Sequence, residues 1–331
     1  MENKEAKKIK RIGVFTSGGD APGMNAAIRG AVRGGLYYGL EVFGIYRGYE
    51  GMIEGEIEPM NSRSVSNIIH RGGTILKSAR SQAFRTKEGR KKAYENIKKH
   101  NIDALVAIGG DGTFTGASIF LEEYGIPTIG IPGTIDNDLA GTDYTIGYDT
   151  ATNTAVEAID KIRDTASSHN RLFFIEVMGR DAGFIAIRSG LAAGAEAVII
   201  PERDYSIDNL VETLQLGSEK NKTSSLVVVA EGGHLGGAME IARQVKERFS
   251  YYETKVTIIG HIQRGGTPTV FDRVMAGRLG VAAVKGLVEG KRDVMVGLIH
   301  NRVRYTLIKN ALKMDRKIDD EIWETARILS L

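Results

Sequence analysis

The sequence predicts an α/β protein of two domains with mainly parallel sheets. Three observations carry that prediction. The 331 residues suffice for two domains of ordinary size. Short apolar runs alternate with longer amphipathic stretches along the whole chain. The apolar runs also end in glycine clusters: there are 41 glycines, where ordinary usage of roughly 7% would give about 23. Alternation of this kind implies crossover connections and hence parallel pairing.

Taken in order, residues 12–15 form a short apolar strand that runs into Thr16, Ser17, Gly18, Gly19, Asp20, Ala21, Pro22, Gly23, Met24 and Asn25. An Ala-rich helix is predicted over 26–38, capped by Asp20 with Pro22 in its first turn. Strand, glycine loop and helix N-terminus together make a phosphate cradle. Residues 42–46 read as the next strand, 64–70 as a short helix, and Arg71-Gly72-Gly73-Thr74 as a turn leading to Ser78, Ala79 and Arg80. The helix predicted over 86–100 puts Glu88, Lys91, Lys92, Glu95 and Lys99 on a solvated face. Residues 104–108 form a strand that empties into Gly109-Gly110-Asp111-Gly112-Thr113 and a helix to 123. This repeats the first glycine loop, and two such loops can face one ligand.

The apolar run 128–131 stops at Pro132-Gly133, as a buried strand meeting a turn does. Beyond it stand Thr134, Ile135, Asp136, Asn137 and Asp138. Two carboxylates past the C-terminal end of a strand occupy the place where open α/β sheets keep their ligand crevices. An Asx-rich turn, with both carboxylates bonded to local backbone, also accounts for this heptapeptide. A long amphipathic helix is predicted over 150–168, with Ala151, Ala155, Ala158, Ile159 and Ile162 inward and Arg163 near its end. Strands follow at 172–177, 197–200, 226–230, 256–259 and 294–299, and helices at 184–191, 206–216, 237–249, 271–289 and 318–329. The strand exits carry Met178-Gly179-Arg180, Glu231-Gly232-Gly233 and Gly260-His261-Ile262-Gln263-Arg264-Gly265-Gly266. In the last helix Ile322, Ala326 and Leu329 form an apolar stripe, and Trp323 is read as packing. No low-complexity tract or Ser/Pro-rich linker marks a domain boundary.

Charge and cysteine usage exclude several functions. Lys and Arg number 44 against 41 Asp and Glu, a net charge of +3, too small to imply a nucleic-acid groove or a membrane surface. The absence of cysteine removes disulfides, thiolate metal sites and cysteine nucleophiles together. The apolar run after the charged residues 1–11 is too short for a secretory segment or a membrane span. The expectation is a soluble cytoplasmic protein with no nucleic-acid or membrane partner.

The strand ends collect Gly19, Asp111, Thr134, Asp136, Asp138, Arg180, Glu231, His261 and Arg264. Glycine loops bring backbone N–H groups close to phosphate oxygens, because a Cβ would hold the anion away. Phosphoryl transfer needs a magnesium ligand, cations on the equatorial oxygens, and a group that orients or deprotonates the acceptor hydroxyl. Asp111, inside a glycine loop, suits the metal, and Asp136 suits the base. Taken singly, each arginine reads as a surface residue and His261 as a satisfied loop histidine; as a set they read as an anion-recognition shell. From residues alone the function is that of an α/β enzyme or sensor handling phosphates with a divalent metal.

These motifs, in this order and spacing, resemble the bacterial ATP-dependent 6-phosphofructokinases from residue 12 to about 329. The resemblance implies two Rossmann-like three-layer αβα domains with the active site in the cleft between them. A larger ATP-binding domain would span 1–146 plus 263–311, and a smaller fructose 6-phosphate-binding domain 147–262 plus 312–331. It further implies a homotetramer that moves the γ-phosphoryl of ATP, with Mg2+, onto the 1-hydroxyl of fructose 6-phosphate, leaving ADP. By position, Gly19, Arg80, Ser81, Arg85, Gly110, Asp111, Gly112 and Thr113 would hold ATP, with Asp111 also a magnesium ligand. Thr134, Asp136, Met178, Gly179, Arg180 and Glu231 would hold the sugar. Asp136 is similar to the family's base, and Arg180 and Thr134 to the groups that stabilise the transferring phosphoryl. His261 and Arg264 would grip the 6-phosphate, joined by Arg171 and Lys255 of a neighbouring subunit.

Within the family, relatives that use pyrophosphate tend to carry Asp where this chain has Gly112 and Lys where it has Gly133, so the resemblance implies ATP as donor. Lys255 stands where the family usually has Arg, offering a point charge instead of a bidentate fork. The family's regulatory nucleotide site would fall on Arg29, Arg33, Arg63, Arg163, Glu196, Lys220 and Lys222, with ADP and phosphoenolpyruvate as effectors. There Arg63 is displaced by one residue from the usual basic position, and Thr223 and Ser224 replace a common basic pair. A pyrophosphate-dependent relative or a non-catalytic nucleotide sensor on the same fold are the alternative readings. The NAD and diacylglycerol kinases share Gly-Gly-Asp-Gly-Thr but lack the 132–138 and 260–266 motifs.

Overall fold

The computed structural model describes residues 9–166, 171–220, 224–314 and 316–330. The first elements in chain order are β1 (Arg11–Thr16), α1 (Met24–Tyr37), β2 (Glu41–Ile45), α2 (Gly48–Glu54), β3 (Ile57–Met60), α3 (Lys87–Lys99), β4 (Ala104–Gly109), α4 (Asp111–Tyr124) and β5 (Thr128–Pro132). Then come α5 (Tyr148–Ala166), β6 (Arg171–Val177), α6 (Phe184–Ala192), β7 (Ala197–Ile199), α7 (Ile207–Glu219), β8 (Ser224–Ala230), α8 (Ala238–Arg248) and β9 (Glu253–Ile258). Last are α9 (Val270–Val288), β10 (Val294–Ile299), β11 (Arg302–Leu307), α10 (Ile308–Ala311) and α11 (Asp320–Leu329). The chain divides into two compact units. The first comprises Met1–Ile135, Leu139–Asp149 and Arg264–Asp315; the second comprises Asp136–Asp138, Thr150–Gln263 and Arg316–Leu331.

The first unit holds a seven-stranded sheet of order β11-β10-β5-β4-β1-β2-β3. Its five central strands run parallel, and the two edge strands run antiparallel to their neighbours. Every residue of β4 and β5 is buried, as parallel strands covered on both faces require. The edges read differently: β11 alternates half-buried and exposed residues and carries Arg302 and Arg304, and β3 carries Pro59. Charge and proline on edges oppose pairing with another chain. On one face Phe15, Ile45, Met52, Leu105 and Phe120 form the core. Phe114, Leu139, Met295 and Ile308 form a second cluster.

The second unit holds a four-stranded parallel sheet of order β7-β8-β6-β9. Leu210 and Leu214 of α7 and Ile241 and Val245 of α8 pack on Phe174, Val227 and Val229 of the sheet. Each such side chain, fully buried, contributes about 1.5–3 kcal/mol. Among the described residues no helix is long and apolar enough to cross a membrane.

Four sequence expectations are corrected here. Residues 64–70 form turns, not a helix: Asn61 Oδ1 accepts the N–H groups of Arg63 (2.8 Å) and Ser64 (3.2 Å), so side chains take the donors a helix would use. Asp20 does not cap α1; the cap position is Gly23, whose φ of 112° only glycine adopts without strain, and Pro22 precedes the helix. The stripe of α11 is not core, since no residue of that helix is buried and Leu329 is 65% exposed. The alternation of strand and helix does break, at the consecutive strands β10 and β11, while β3 keeps the alternation yet pairs antiparallel with β2. The predicted end of the 150–168 helix lies outside the described residues.

Candidate active site

Register fixes where the glycine loops start. Thr16 of β1 pairs with Ile108 of β4, and Gly109 of β4 pairs with Pro132 of β5. The three loops that follow these strands therefore leave the sheet side by side, at its carboxyl edge. The chain departs from β1 toward β2 on one side, while β4 lies on the other. This is the topological switch point at which doubly wound sheets bind ligands.

Short hydrogen bonds tie the loops together. Ser17 N donates to Ile108 O (3.0 Å), Thr113 Oγ1 to Ser17 O (3.2 Å), and Gly133 N to Gly109 O (3.0 Å). Gly110 is the N-cap of α4 and Asp111 its first residue, so Asp111 stands at the positive end of the helix dipole. Asp111 is exposed and Thr113 buried. A Cβ placed on Gly112 would meet nothing within 4 Å, whereas one on Gly133 would press on Ile108 and Met24 at 3.1 Å. The two glycines thus differ: the first has open space above it, the second is packed.

Arg264 lies on the first glycine loop. Its Nη1 donates to Asp20 O (3.2 Å) and stands 2.7 Å from where a Cβ of Gly19 would be. Arg80 and Arg85 are exposed cations, while Ser81 Oγ accepts Phe84 N (3.1 Å), a turn-closing role. Sequence reasoning missed the residues that hold this turn. Arg90, 7% exposed, donates to both oxygens of Glu123 (2.6 and 2.7 Å) and to the carbonyls of Phe84 (3.0 Å) and Arg85 (2.8 Å). The pairing holds the Glu123 carboxyl below its usual range. Tyr49 stacks on Phe84 with centroids 3.9 Å apart and donates its hydroxyl to Thr113 O (2.5 Å); burial pushes its phenol well above the usual range. Asn25 is the second residue of α1. It is buried, donates to the carbonyls of Arg71 and Gly72, and accepts Ile75 N.

The 132–138 loop is anchored on both sides. Gly133 bridges to Ile146, Thr145 Oγ1 donates to Thr134 O (2.6 Å), and Ile135 and Leu139 are fully buried. Thr134 is half-buried; Asp136 is buried at 6% exposure. Asp136, Asn137 and Asp138 group with the second unit, where Asn137, at φ 58°, accepts Arg316 Nη1 (2.9 Å).

In the second unit, the exits of β6 and β8 meet. Glu231 Oε1 accepts both Gly179 N (3.2 Å) and Arg180 N (2.7 Å), and Gln263 Oε1 accepts Met178 N (2.8 Å). Gln263 is completely buried; it sits inside the 260–266 motif, yet only His261 and Arg264 stood out in sequence. Arg180 is exposed with φ 57°, a left-handed conformation that needs support from its surroundings. Gly232 provides part of it, because a Cβ there would fall 2.0 Å from Arg180 O. Gly232→Ala should accordingly destabilise the fold by about 1–3 kcal/mol and lower turnover by displacing Arg180. Denaturant unfolding and kcat check this, and wild-type values of both would contradict it. Met178 is buried, and His261 exposed. Arg171 and Lys255 are both paired with Glu253.

The residues expected to bind an effector divide between the units. Arg29, Arg33 and Arg63 belong to the first, and Arg163, Glu196 and Lys220 to the second. Lys222 and Thr223 lie outside the described residues. Arg163 Nη2 donates to the carbonyls of Ala193 and Gly194, and Glu196 Oε2 accepts Leu226 N (2.6 Å). Glu196 and Lys220 line a cavity of about 280 Å³ that also includes Tyr205 and Trp323. Trp323 is half-buried under the Arg203 guanidinium, 5.6 Å from its ring.

Residues 11–287 match the family model Phosphofructokinase. Over 323 residues the chain is 55% identical to ATP-dependent 6-phosphofructokinase 2 of Bacteroides thetaiotaomicron, covering 98% of this chain and 99% of that protein. It is 56% identical, over the same length, to ATP-dependent 6-phosphofructokinase 1 of Thermus thermophilus, covering 98% and 100%. Among solved structures, phosphofructokinase from Saccharomyces cerevisiae superposes with a TM-score of 0.89 at 36% identity over 97% of this chain. This chain spans 48% of that yeast chain. With its fold, its loops and its relatives over nearly the whole length in agreement, the chain belongs to the phosphofructokinase family.

Proposed function

We propose that the chain is an ATP-dependent 6-phosphofructokinase of glycolysis. It transfers the γ-phosphoryl of MgATP to the 1-hydroxyl of D-fructose 6-phosphate, giving fructose 1,6-bisphosphate and ADP. The observation that supports this reading most is the pair of glycine loops flanking the switch point between β1 and β4, with Asp111 opening α4 beside the open space of Gly112.

The phosphates of ATP lie on the N–H groups of the Gly18–Gly19 and Gly110–Thr113 segments, with Arg80 and Arg85 supplying charge. Magnesium fits Asp111, since a nucleotide-bound ion needs one or two protein carboxylates and takes its other ligands from phosphate and water. When bound it would neutralise charge on the transferring group. Asp136 takes the proton of the 1-hydroxyl as general base. Arg180, aimed by its fixed backbone, and Thr134 stabilise the charge that develops on the phosphoryl oxygens. Met178, Gly179 and Glu231 contact the sugar; His261 and Arg264, with Arg171 and Lys255 of a neighbouring copy, hold its 6-phosphate. The active enzyme is then a homotetramer, working in the cytoplasm.

ADP as activator and phosphoenolpyruvate as inhibitor act through Arg29, Arg33, Arg63, Arg163, Glu196, Lys220 and Lys222. In Arg63→Ala and Lys222→Ala, the ratio of sugar-phosphate half-saturation measured without and with ADP should move toward one. An unchanged ratio in both would remove these residues from the effector site.

A coupled assay with fructose 6-phosphate and either ATP or pyrophosphate tests the reaction. Bisphosphate formed with ATP supports the reading, and activity with pyrophosphate alone would overturn it.

A further inference from the structure

Three charged side chains on β6 and β9 form a cluster that the reaction as described does not use as such. Register places Arg171 of β6 directly beside Glu253 of β9. Lys255, two residues further along β9, projects from the same face of the strand as Glu253. Glu253 spends one oxygen on each cation: Oε2 on Arg171 Nε at 3.0 Å and Oε1 on Lys255 Nζ at 2.5 Å. Hydrogen bonds from Lys255 and then Arg171 pull its carboxyl down to about 2, so it carries its charge throughout the neutral range.

We infer that Glu253 sets the affinity for the sugar's phosphate by occupying the two cations, Arg171 and Lys255, that bind it, and must yield them when the phosphate arrives. This rests on the proposed assignment of those cations to the 6-phosphate.

The geometry carries the inference in three ways. One carboxylate leaves the trio with a net charge of +1 in place of +2, so a dianion meets half the field it would otherwise find. The side chains of Arg171, Glu253 and Lys255 are 23%, 52% and 43% exposed, the last two on the edge strand β9, where a solute can reach them. Ion pairs this exposed are weak, so the carboxylate weakens binding and does not block it. A phosphate, with three acceptor oxygens and a charge of about −1.5 to −2, outcompetes the carboxylate at the cost of these two pairs. Lysine at 255 makes the competition sharper than arginine would. The carboxylate sits directly against the compact ammonium charge, whereas a guanidinium would keep a second edge of its planar fork for bidentate pairing with a phosphate.

The test is Glu253→Gln in the full chain, with half-saturation measured for fructose 6-phosphate and for ATP. The sugar-phosphate value should fall by about two- to tenfold, more at low ionic strength than at high, while the ATP value stays as an internal reference. Inorganic phosphate, used as a competitive inhibitor against the sugar phosphate, should bind tighter by the same factor. Lys255→Arg is a second, fold-preserving variant and should shift both values in the same direction by a smaller factor. A sugar-phosphate value in Glu253→Gln that is unchanged or raised overturns the inference. Arg171→Ala and Lys255→Ala separate the two levels. If they raise the sugar-phosphate value and Glu253→Gln does not lower it, Glu253 alone has been misjudged; if neither raises it, the assignment of the cations falls as well.

Discussion

Asp136→Ser should lower kcat by roughly 10²- to 10⁴-fold, the usual worth of a general base, while the half-saturation for fructose 6-phosphate changes little. The split follows from the role. A group that takes a proton only as the bond forms contributes to the transition state and not to ground-state binding, so its loss appears in kcat and in kcat/KM alike. The surroundings hold the loop backbone independently of this side chain. Asp136 is buried between the fully buried Ile135 and, two residues past Asn137, Leu139. The loop backbone is held by the Gly133 bridge and by Thr145 on Thr134 O, contacts that serine does not disturb. Steady-state kinetics with MgATP check the prediction. A mutant near the wild-type rate would remove Asp136 from the base role, and one defective mainly in sugar half-saturation would make it a binding residue.

Gly112→Asp should raise the half-saturation for ATP on the order of 10²-fold, because a carboxylate about 4–5 Å from a phosphate at an effective dielectric near 20 costs several kcal/mol per charge pair. The fold should not suffer. An added Cβ meets nothing within 4 Å, replacement of glycine within a helix gains up to about 1 kcal/mol, and an acid in the first turn favours the helix dipole. Thermal unfolding should therefore stay level or rise as ATP use falls. Loss of ATP use together with a drop in melting temperature would point to damage in place of repulsion. An unaltered ATP half-saturation would place the phosphates away from this loop. Gly133 offers no such clean variant, since its Cβ position is already crowded by Ile108 and Met24.

What the sequence made legible was whatever depends on local pattern. Apolar runs ending in glycine gave the buried strands β1, β4 and β5 and the loops behind them, whereas Thr86, read as the first helical residue, is the cap of α3, its Oγ1 accepting Gly89 N. The edge strands were not readable. β3 contains Pro59 and β11 interleaves Arg302 and Arg304, features that protect an edge and at the same time erase the apolar signature of a strand. The misplaced helix at 64–70 had a passable composition, but Asn61 and the Ser66 hydroxyl, which donates to Arg63 O, settle the backbone into turns. Long-range partners were invisible in principle: Glu231 lies 51 residues from Arg180, Gln263 85 from Met178 and Glu253 82 from Arg171. Only sheet register and loop exits bring them together. Candidate residues at strand ends were thus nameable from sequence, and their long-range pairings were not.

The claim on which the account rests is transfer of the γ-phosphoryl of ATP to a sugar hydroxyl, and phosphorus NMR of the full chain with MgATP and fructose 6-phosphate tests it most directly. The expected result is loss of the γ-phosphate resonance matched one for one by a new sugar 1-phosphate resonance, with ADP accumulating and the 6-phosphate signal retained. Release of inorganic phosphate with no new sugar phosphate, or no change in the ATP resonances at all, would contradict it.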